Sequence, residues 1–119
     1  MKPIFDRNGA HVAWLSSAVL FDARGRTLGW LSGTQLFGRS GETLGFFDRD
    51  YFRDLSGYAV AFGAGAVGGP TLPVPVIPPI PPIPEIPPVP PIPQIAPIAA
   101  VPGLSWSATT WANFAKLRS

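Results

Sequence analysis

The sequence predicts an all-β fold, a shallow closed barrel of four β-hairpins with pseudo-fourfold symmetry. Two observations support this prediction. A sixteen-residue unit is written four times in phase between residues 4 and 63, and every unit contains a turn that ends in glycine. Short hairpins are barely stable alone, whereas closing four of them removes free strand edges and lets them share one core. We therefore expect residues 1–66 to form one closed domain.

All four turns end in glycine, and all of them begin with aspartate except the third, which begins with Gly38. Asp6 begins the first turn and Gly9 ends it, and aspartate also begins the turns at Asp22 and Asp54. A carboxylate at the start can accept hydrogen bonds from the backbone amides that follow, and glycine adopts a positive φ without steric cost. The pattern predicts a type I turn closed by a glycine bulge in each hairpin.

An aromatic column follows a column of small residues in the repeat. Its members are Trp14, Trp30, Phe46 and Phe62. A strict period of two places Val12 on the face of Trp14, and His11 with Ala13 on the opposite face. Glycine within a strand marks a bend or a close approach of backbones. We expect the small column to lie where the hairpins crowd around the axis, and the aromatic ring either to fill the core or to line an apolar pocket.

The repeat resembles the four-fold β-flower family, shallow barrels in which four hairpin petals surround a pseudo-fourfold axis. The resemblance covers residues 4–63 and rests on a Phe-Asp-x-x-Gly motif at Phe5 and a Leu-Gly-Trp-Leu motif at Leu28. The fourth copy departs from the pattern, with Arg53 in place of phenylalanine and Gly63 in place of leucine or phenylalanine. The resemblance implies a fold and no activity. A looser fold-level analogy links such barrels to the tubby-like and scramblase-like folds, which associate with membranes.

A second period, of three residues, follows a glycine- and proline-rich linker at residues 67–73. Within the proline-rich residues 74–102, β-branched side chains occupy every third position: Val74, Ile77, Ile80, Ile83, Ile86, Val89, Ile92, Ile95, Ile98 and Val101. Polyproline II has three residues per turn, so the pattern predicts one apolar stripe along a straight rod of about 85 Å. We expect the stripe to dock against the protein's own barrel, another copy, an aromatic groove or a lipid surface; otherwise the segment is a stiff spacer.

The C-terminal residues 103–119 predict a short amphipathic helix, capped by Ser105 or Ser107. Large apolar side chains recur at a spacing of three: Trp111, Phe114 and Leu117. A helix of this length is not stable alone. Together with Trp106, its aromatic residues are therefore expected to dock, either on the barrel or at a membrane interface.

The composition gives no support for an enzyme, a metal site or a nucleic-acid-binding protein. Cysteine is absent and His11 is the only histidine, which leaves no thiolate or multi-histidine metal site. The formal net charge is only +2, without a basic tract. The sequence also lacks a phosphate-binding glycine loop and a nucleophile elbow. We expect no catalytic residue, cofactor or metal.

Acidic and basic residues alternate from Asp48 to Asp54, and we expect solvated ion pairs there at a junction between petals. Asp6 and Arg7 interrupt any signal peptide, and prolines fill the long uncharged stretches, so we expect no membrane-spanning helix. A cytoplasmic or peripheral membrane location follows as an expectation.

Three functions remain open from the sequence. The first is a non-enzymatic binding or scaffolding module that uses the proline-rich segment and the aromatic tail for docking to a protein or for self-association. The second is a peripheral membrane protein whose apolar barrel centre takes lipid. The third is a polyproline ligand for a partner with an aromatic groove.

Overall fold

The computed structural model describes residues 1–95 and 97–115, and residues 2–63 form a closed antiparallel barrel. Its eight strands are β1 (Lys2–Asp6), β2 (His11–Ser16), β3 (Val19–Asp22), β4 (Thr27–Ser32), β5 (Gln35–Gly38), β6 (Thr43–Asp48), β7 (Tyr51–Arg53) and β8 (Ala59–Gly63). Each strand pairs with the next one in the chain, and β8 pairs with β1 to close the barrel. The predicted all-β barrel of four hairpins is confirmed.

The first hairpin turn shows how the aspartate and the glycine act. The N–H of Gly9 donates to the carbonyl of Asp6 at 2.9 Å, and Gly9 has a φ of +82°. The Asp6 carboxylate accepts hydrogen bonds from the N–H groups of Asn8 and Ala10 at 2.9 and 3.0 Å. The same bonds recur at the turns that begin with Asp22 and Asp54. The predicted turn chemistry is therefore confirmed.

One β-bulge in each hairpin changes the predicted strand faces. Ile4 pairs with Ala13, but the next residue pairs with His11, which leaves Val12 unpaired. The same shift skips one residue in each of the other hairpins: Leu28, Leu44 and Val60. A bulge sets two residues against one, so Val12 and Ala13 both join the inner cluster, and His11 lies beside Trp14 with ring centroids 4.5 Å apart. The prediction that Val12 shares a face with Trp14 is wrong, because strict alternation does not allow for a bulge.

The inward face of the barrel is one hydrophobic core that draws on all four repeats. Its buried members include the first large apolar residue of each repeat and two alanines of the small column: Ile4, Leu20, Leu36, Phe52, Ala13 and Ala61. The petals do crowd at the small column, since a Cβ on Gly45 would collide with the backbone carbonyl of Arg53. Trp111 and Phe114 from the C-terminal tail pack against this same core.

Helix α1 (Trp111–Phe114) begins after the cap residue Thr110, whose hydroxyl accepts a hydrogen bond from the N–H of Asn113 at 3.3 Å. The prediction that Ser105 or Ser107 caps the helix is wrong, because the chain between them and Thr110 is not helical. Among the residues that the structure describes, no helix has the length and apolar character needed to cross a bilayer. Leu117, the third expected apolar position of the helix, lies outside the described residues.

The proline-rich segment does not project as a rod. The chain measures 36 × 35 × 25 Å, which cannot contain a straight rod of about 85 Å. Instead, four backbone N–H groups nine residues apart donate to the turn glycines of successive petals at 2.8–2.9 Å: Val76 to Gly9, Glu85 to Gly25, Gln94 to Gly41 and Gly103 to Gly57. We call residues 74–103 the belt. The straight-rod prediction is wrong because every petal offers an acceptor that holds the belt to the barrel.

Candidate functional site

The candidate site is the outward face of the belt. The predicted docking stripe is almost fully exposed, at 87–99% for each of its members: Val74, Ile77, Ile80, Ile83, Ile86, Val89, Ile92, Ile95, Ile98 and Val101. Scattered exposed apolar residues are ordinary, but a monomeric protein rarely exposes a long contiguous set. The stripe does not dock on the protein's own barrel, and that option from the sequence is therefore wrong.

The anchoring hydrogen bonds determine which way the stripe faces. Proline has no N–H to donate. The four anchors are non-proline residues outside the stripe, and they follow one another every nine positions from Val76. Nine is a multiple of three, so all four anchors fall in the same one of the three registers of the belt sequence. The stripe occupies a different register of the three and consequently points away from the barrel.

Side chains strengthen the two middle anchors. The carboxylate of Glu85 accepts a hydrogen bond from the N–H of Thr27 at 2.9 Å, and this bond is the main reason that the pKa of Glu85 is lowered. One belt repeat later, the side-chain carbonyl of Gln94 accepts a hydrogen bond from the N–H of Thr43 at 3.1 Å. Gln35 donates in turn to the backbone carbonyl of Gln94 at 3.0 Å. The polar groups of the belt thus face the petals and leave the stripe apolar.

The turn glycines also lie against the backbone of the belt. A Cβ on Gly9 would lie 2.5 Å from the carbonyl oxygen of Val74, and a Cβ on Gly57 would lie 2.5 Å from that of Val101. Both glycines also have a positive φ. Glycine at these positions therefore allows both the positive φ of the hairpin turn and the close contact with the belt backbone.

The predicted aromatic face is buried. The exposed fractions are 2%, 6%, 7% and 2% for Trp14, Trp30, Phe46 and Phe62. These residues alternate along the strands with the inward ones, so they lie outside the barrel rather than at its centre. Phe46 and the belt residues 99–102 line one cavity of about 340 Å³. The rings form a buried layer on the outer side of the barrel strands, and do not line an open binding face.

His11 and Trp106 complete this aromatic layer. Burial of the imidazole lowers the pKa of His11. Trp106 is half-buried and lies 6.1 Å from the ring centroid of Phe62 and 6.3 Å from that of Tyr51. The predicted tail residue Trp106 therefore contacts the outer side of the barrel, whereas Trp111 and Phe114 contact the inner core.

Arg53 ties the end of the belt to the fourth petal. It is 2% exposed, and its guanidinium donates to the carbonyls of Gly57, Gly103 and Gly68 at 2.7, 2.8 and 3.0 Å. The prediction of a solvated ion pair is wrong for Arg53, because its side chain is buried and its hydrogen-bond partners are backbone carbonyls. Burial lowers the pKa of this guanidinium.

Three other charged residues of this region form ion pairs near the surface, as expected: Asp48, Arg49 and Asp50. Lys2 binds the carboxylate of Asp50, and Arg49 binds that of Asp48 at 3.2 Å. Within residues 1–95 and 97–115, no three acidic or histidine side chains lie together in a way that could hold a metal ion. The site offers apolar contact area rather than reactive groups.

The nine-residue period of the belt was missed in the sequence, although its signal is there. The motif Val/Ile-Pro-x-Ile recurs at Val74, Ile83 and Ile92, and the position marked x is the anchor each time. The period of three conceals the longer one because nine is a multiple of three.

A sequence model of the family described as 4-fold beta flower protein matches residues 2–115. The match extends beyond the barrel to the belt and the tail helix. A search of curated proteins and a search of solved structures found no match.

Proposed function

The chain belongs to the 4-fold beta flower family, and we propose that it is a non-enzymatic docking module whose belt presents the apolar stripe to another protein chain. The observation that carries the proposal is the 87–99% exposure of ten β-branched side chains in one register. Burying one such side chain is worth about 1.5–3 kcal/mol. A partner that covered several of them would gain a substantial driving force.

The barrel supports this role by holding the stripe in place before binding. Each petal accepts one backbone hydrogen bond from the belt, and Glu85 and Gln94 add a side-chain bond at two of the four anchors. A surface that is ordered before binding loses less conformational entropy when it binds. The petals thus act as a frame for the belt.

Lipid binding at the barrel centre has weaker support. Trp111 and Phe114 occupy the inner core and would have to leave to admit an acyl chain. The stripe itself contains none of the tryptophan, tyrosine, lysine or arginine residues that favour membrane interfaces. The charge on the belt comes from Glu85, an anion, which anionic lipid does not attract.

Recognition by an aromatic groove also has weaker support. Such grooves bind proline-rich segments in polyproline II conformation. The most exposed ridge of the belt consists of isoleucine and valine, and no lysine or arginine lies within the belt to orient it in a groove.

The test is a variant in which alternate stripe residues become serine: Ile80→Ser, Ile86→Ser and Ile92→Ser. Chemical cross-linking in cells that express the full chain measures how much of it is held by other proteins. We expect the triple variant to lose most cross-linked product, because the stripe no longer offers apolar area. The control is Leu55→Ser, which removes an apolar side chain that is 50% exposed on a turn. Undiminished cross-linking of a folded triple variant would refute the docking role.

A further inference from the structure

We infer that the partner of the stripe is a second copy of this chain, bound belt to belt. This inference rests on the docking role proposed above and names the partner. The observations behind it are the division of the belt into equal edges, the apolar area of each edge and the distribution of charge.

The anchors divide the belt into three edges of equal length. Each edge runs between two successive anchors, and each carries three stripe residues at a spacing of three: Ile77, Ile80 and Ile83; Ile86, Val89 and Ile92; Ile95, Ile98 and Val101. Every one of these side chains is at least 87% exposed. The molecule therefore presents the same short apolar ridge three times around its rim.

Identical ridges are complementary to one another. Two edges related by a twofold axis run antiparallel, and each meets the same surface on the other copy. Successive stripe side chains have the same spacing in both copies, because three residues of an extended proline-rich segment advance about 9 Å. The ridge of one copy can then lie in the hollows between the β-branched side chains of the other. Isoleucine and valine are stiff at χ1, so they lose little rotamer freedom on contact.

The available area indicates how strong the association is. At about 25 cal/mol per Å², a side chain worth about 1.5–3 kcal/mol corresponds to about 60–120 Å². The three stripe residues of one edge can therefore bury about 200–350 Å², well below the roughly 800 Å² per partner of a standard interface. All ten stripe residues together can bury about 600–1,200 Å². One edge supports a weak contact, so full coverage needs several copies. We expect association that grows steadily with concentration, rather than one tight dimer.

The charges favour another copy over a lipid surface. Glu85 is the only charged residue in residues 74–103, and its carboxylate is bonded to the N–H of Thr27. The formal net charge of the chain is only +2, so copies repel one another weakly. An apolar edge without like charges can therefore approach its equivalent in another molecule.

Sedimentation velocity of the purified full-length protein tests the inference. We expect the weight-average mass to rise above the 12.6 kDa of one chain as the concentration increases. The variants Ile80→Ser, Val89→Ser and Ile98→Ser each alter one edge and should each weaken association by about tenfold. Their combination should remain at the mass of one chain. Leu55→Ser is the matched control and should associate like the wild type, and circular dichroism confirms that each variant is folded.

Salt and lipid provide independent readouts of the same contact. Sodium chloride should leave the association intact, since apolar contacts are not screened, and sodium sulfate should strengthen it. Wild-type protein that stays at the mass of one chain throughout overturns the inference. So does association that survives in the folded triple variant of this experiment, which combines Ile80→Ser, Val89→Ser and Ile98→Ser. If the wild type floats with phosphatidylserine vesicles and this triple variant does not, the stripe binds lipid instead of a second copy. A monomeric wild type whose cross-linking in cells still depends on the stripe would overturn self-association and leave the docking role standing.

Discussion

The carboxylate of Glu85 accepts a hydrogen bond from the backbone N–H of Thr27 at 2.9 Å, across a sequence separation of 58 residues. Gln94 and Thr43 make the equivalent contact one petal later. The step is nine residues in the belt and sixteen in the barrel. One nine-residue repeat of the belt therefore spans one sixteen-residue petal of the barrel, although the two repeats are unrelated in sequence.

Changing Glu85→Gln should remove one source of acid sensitivity. The bond from Thr27 lowers the pKa of Glu85 in the folded protein. Its contribution to stability is therefore present above the pKa of the unfolded chain and is lost as the pH falls through the lowered folded-state pKa. Glutamine keeps the acceptor and does not titrate, as Gln94 shows at the next anchor. Urea unfolding across the acid range should show the wild type losing stability relative to the variant.

The matched control is the reverse change at the third anchor, Gln94→Glu. It places a titrating acceptor opposite Thr43 and should add acid sensitivity there. Both variants keep every other carboxylate, so their background titration is the same as that of the wild type. Parallel pH profiles for all three proteins would contradict the assigned role of Glu85.

Changing Gly9→Ala should loosen the belt as well as strain the turn. A Cβ there would lie 2.5 Å from the carbonyl oxygen of Val74, at a φ of +82°. Gly33 is the control, because its φ is +61° and no atom lies within 4 Å of its Cβ position. Both changes should cost about 1–2 kcal/mol for the left-handed backbone, and Gly9→Ala should cost more. Hydrogen exchange at the Val76 amide should accelerate in Gly9→Ala alone; equal acceleration in both variants would rule out the contact with the belt.

Features set by short-range chemistry could be predicted from the sequence. The turn from Asp6 to Gly9 depends on a carboxylate and a glycine three residues apart, and the sequence shows both residues directly. Closure of the barrel follows from four such hairpins in phase. The bulge at Val12 does not follow from strict inward–outward alternation of side chains, because that rule does not allow an unpaired residue in a strand. The glycine after the equivalent residue, Leu28, was a usable signal, since glycine in a strand often marks a bulge.

The position of the stripe could be predicted in part. The register that begins at Val74 was recognised from its period of three, but the direction of the stripe depends on where the belt is anchored. The nine-residue motif marks Val76 as an anchor, but it does not indicate that the acceptor is Gly9, which is far away in the chain. Arg53 was misread for the same reason, because its partner Gly103 is 50 residues away.

Changing Arg53→Met should destabilise the protein by about 1–3 kcal/mol, because it removes hydrogen bonds that a charged donor makes. The guanidinium serves the carbonyls of Gly57, Gly103 and Gly68. Arg53→Phe restores the residue of the other repeats and should still destabilise, because phenylalanine cannot donate. Arg49→Met removes a more exposed ion pair and should change the free energy of unfolding by less than about 0.5 kcal/mol. Urea unfolding measures all three; a fully stable Arg53→Phe protein would show that these bonds matter little.

Changing Gly45→Ala should push helix α1 away from the core. A Cβ on Gly45 would lie 2.6 Å from Cε1 of Phe114, and it would also meet the carbonyl of Arg53. Overpacking of this kind costs about 1–3 kcal/mol. Phe114→Ala removes one of the two obstacles, so the double variant should be more stable than the sum of the single losses predicts. Gly29→Ala is the control, because its Cβ meets the carbonyl of Phe37 and not the tail. Urea unfolding should therefore show coupling between Gly45→Ala and Phe114→Ala, and no coupling between Gly29→Ala and Phe114→Ala. Equal coupling for both glycines would mean that Phe114 does not pack against Gly45.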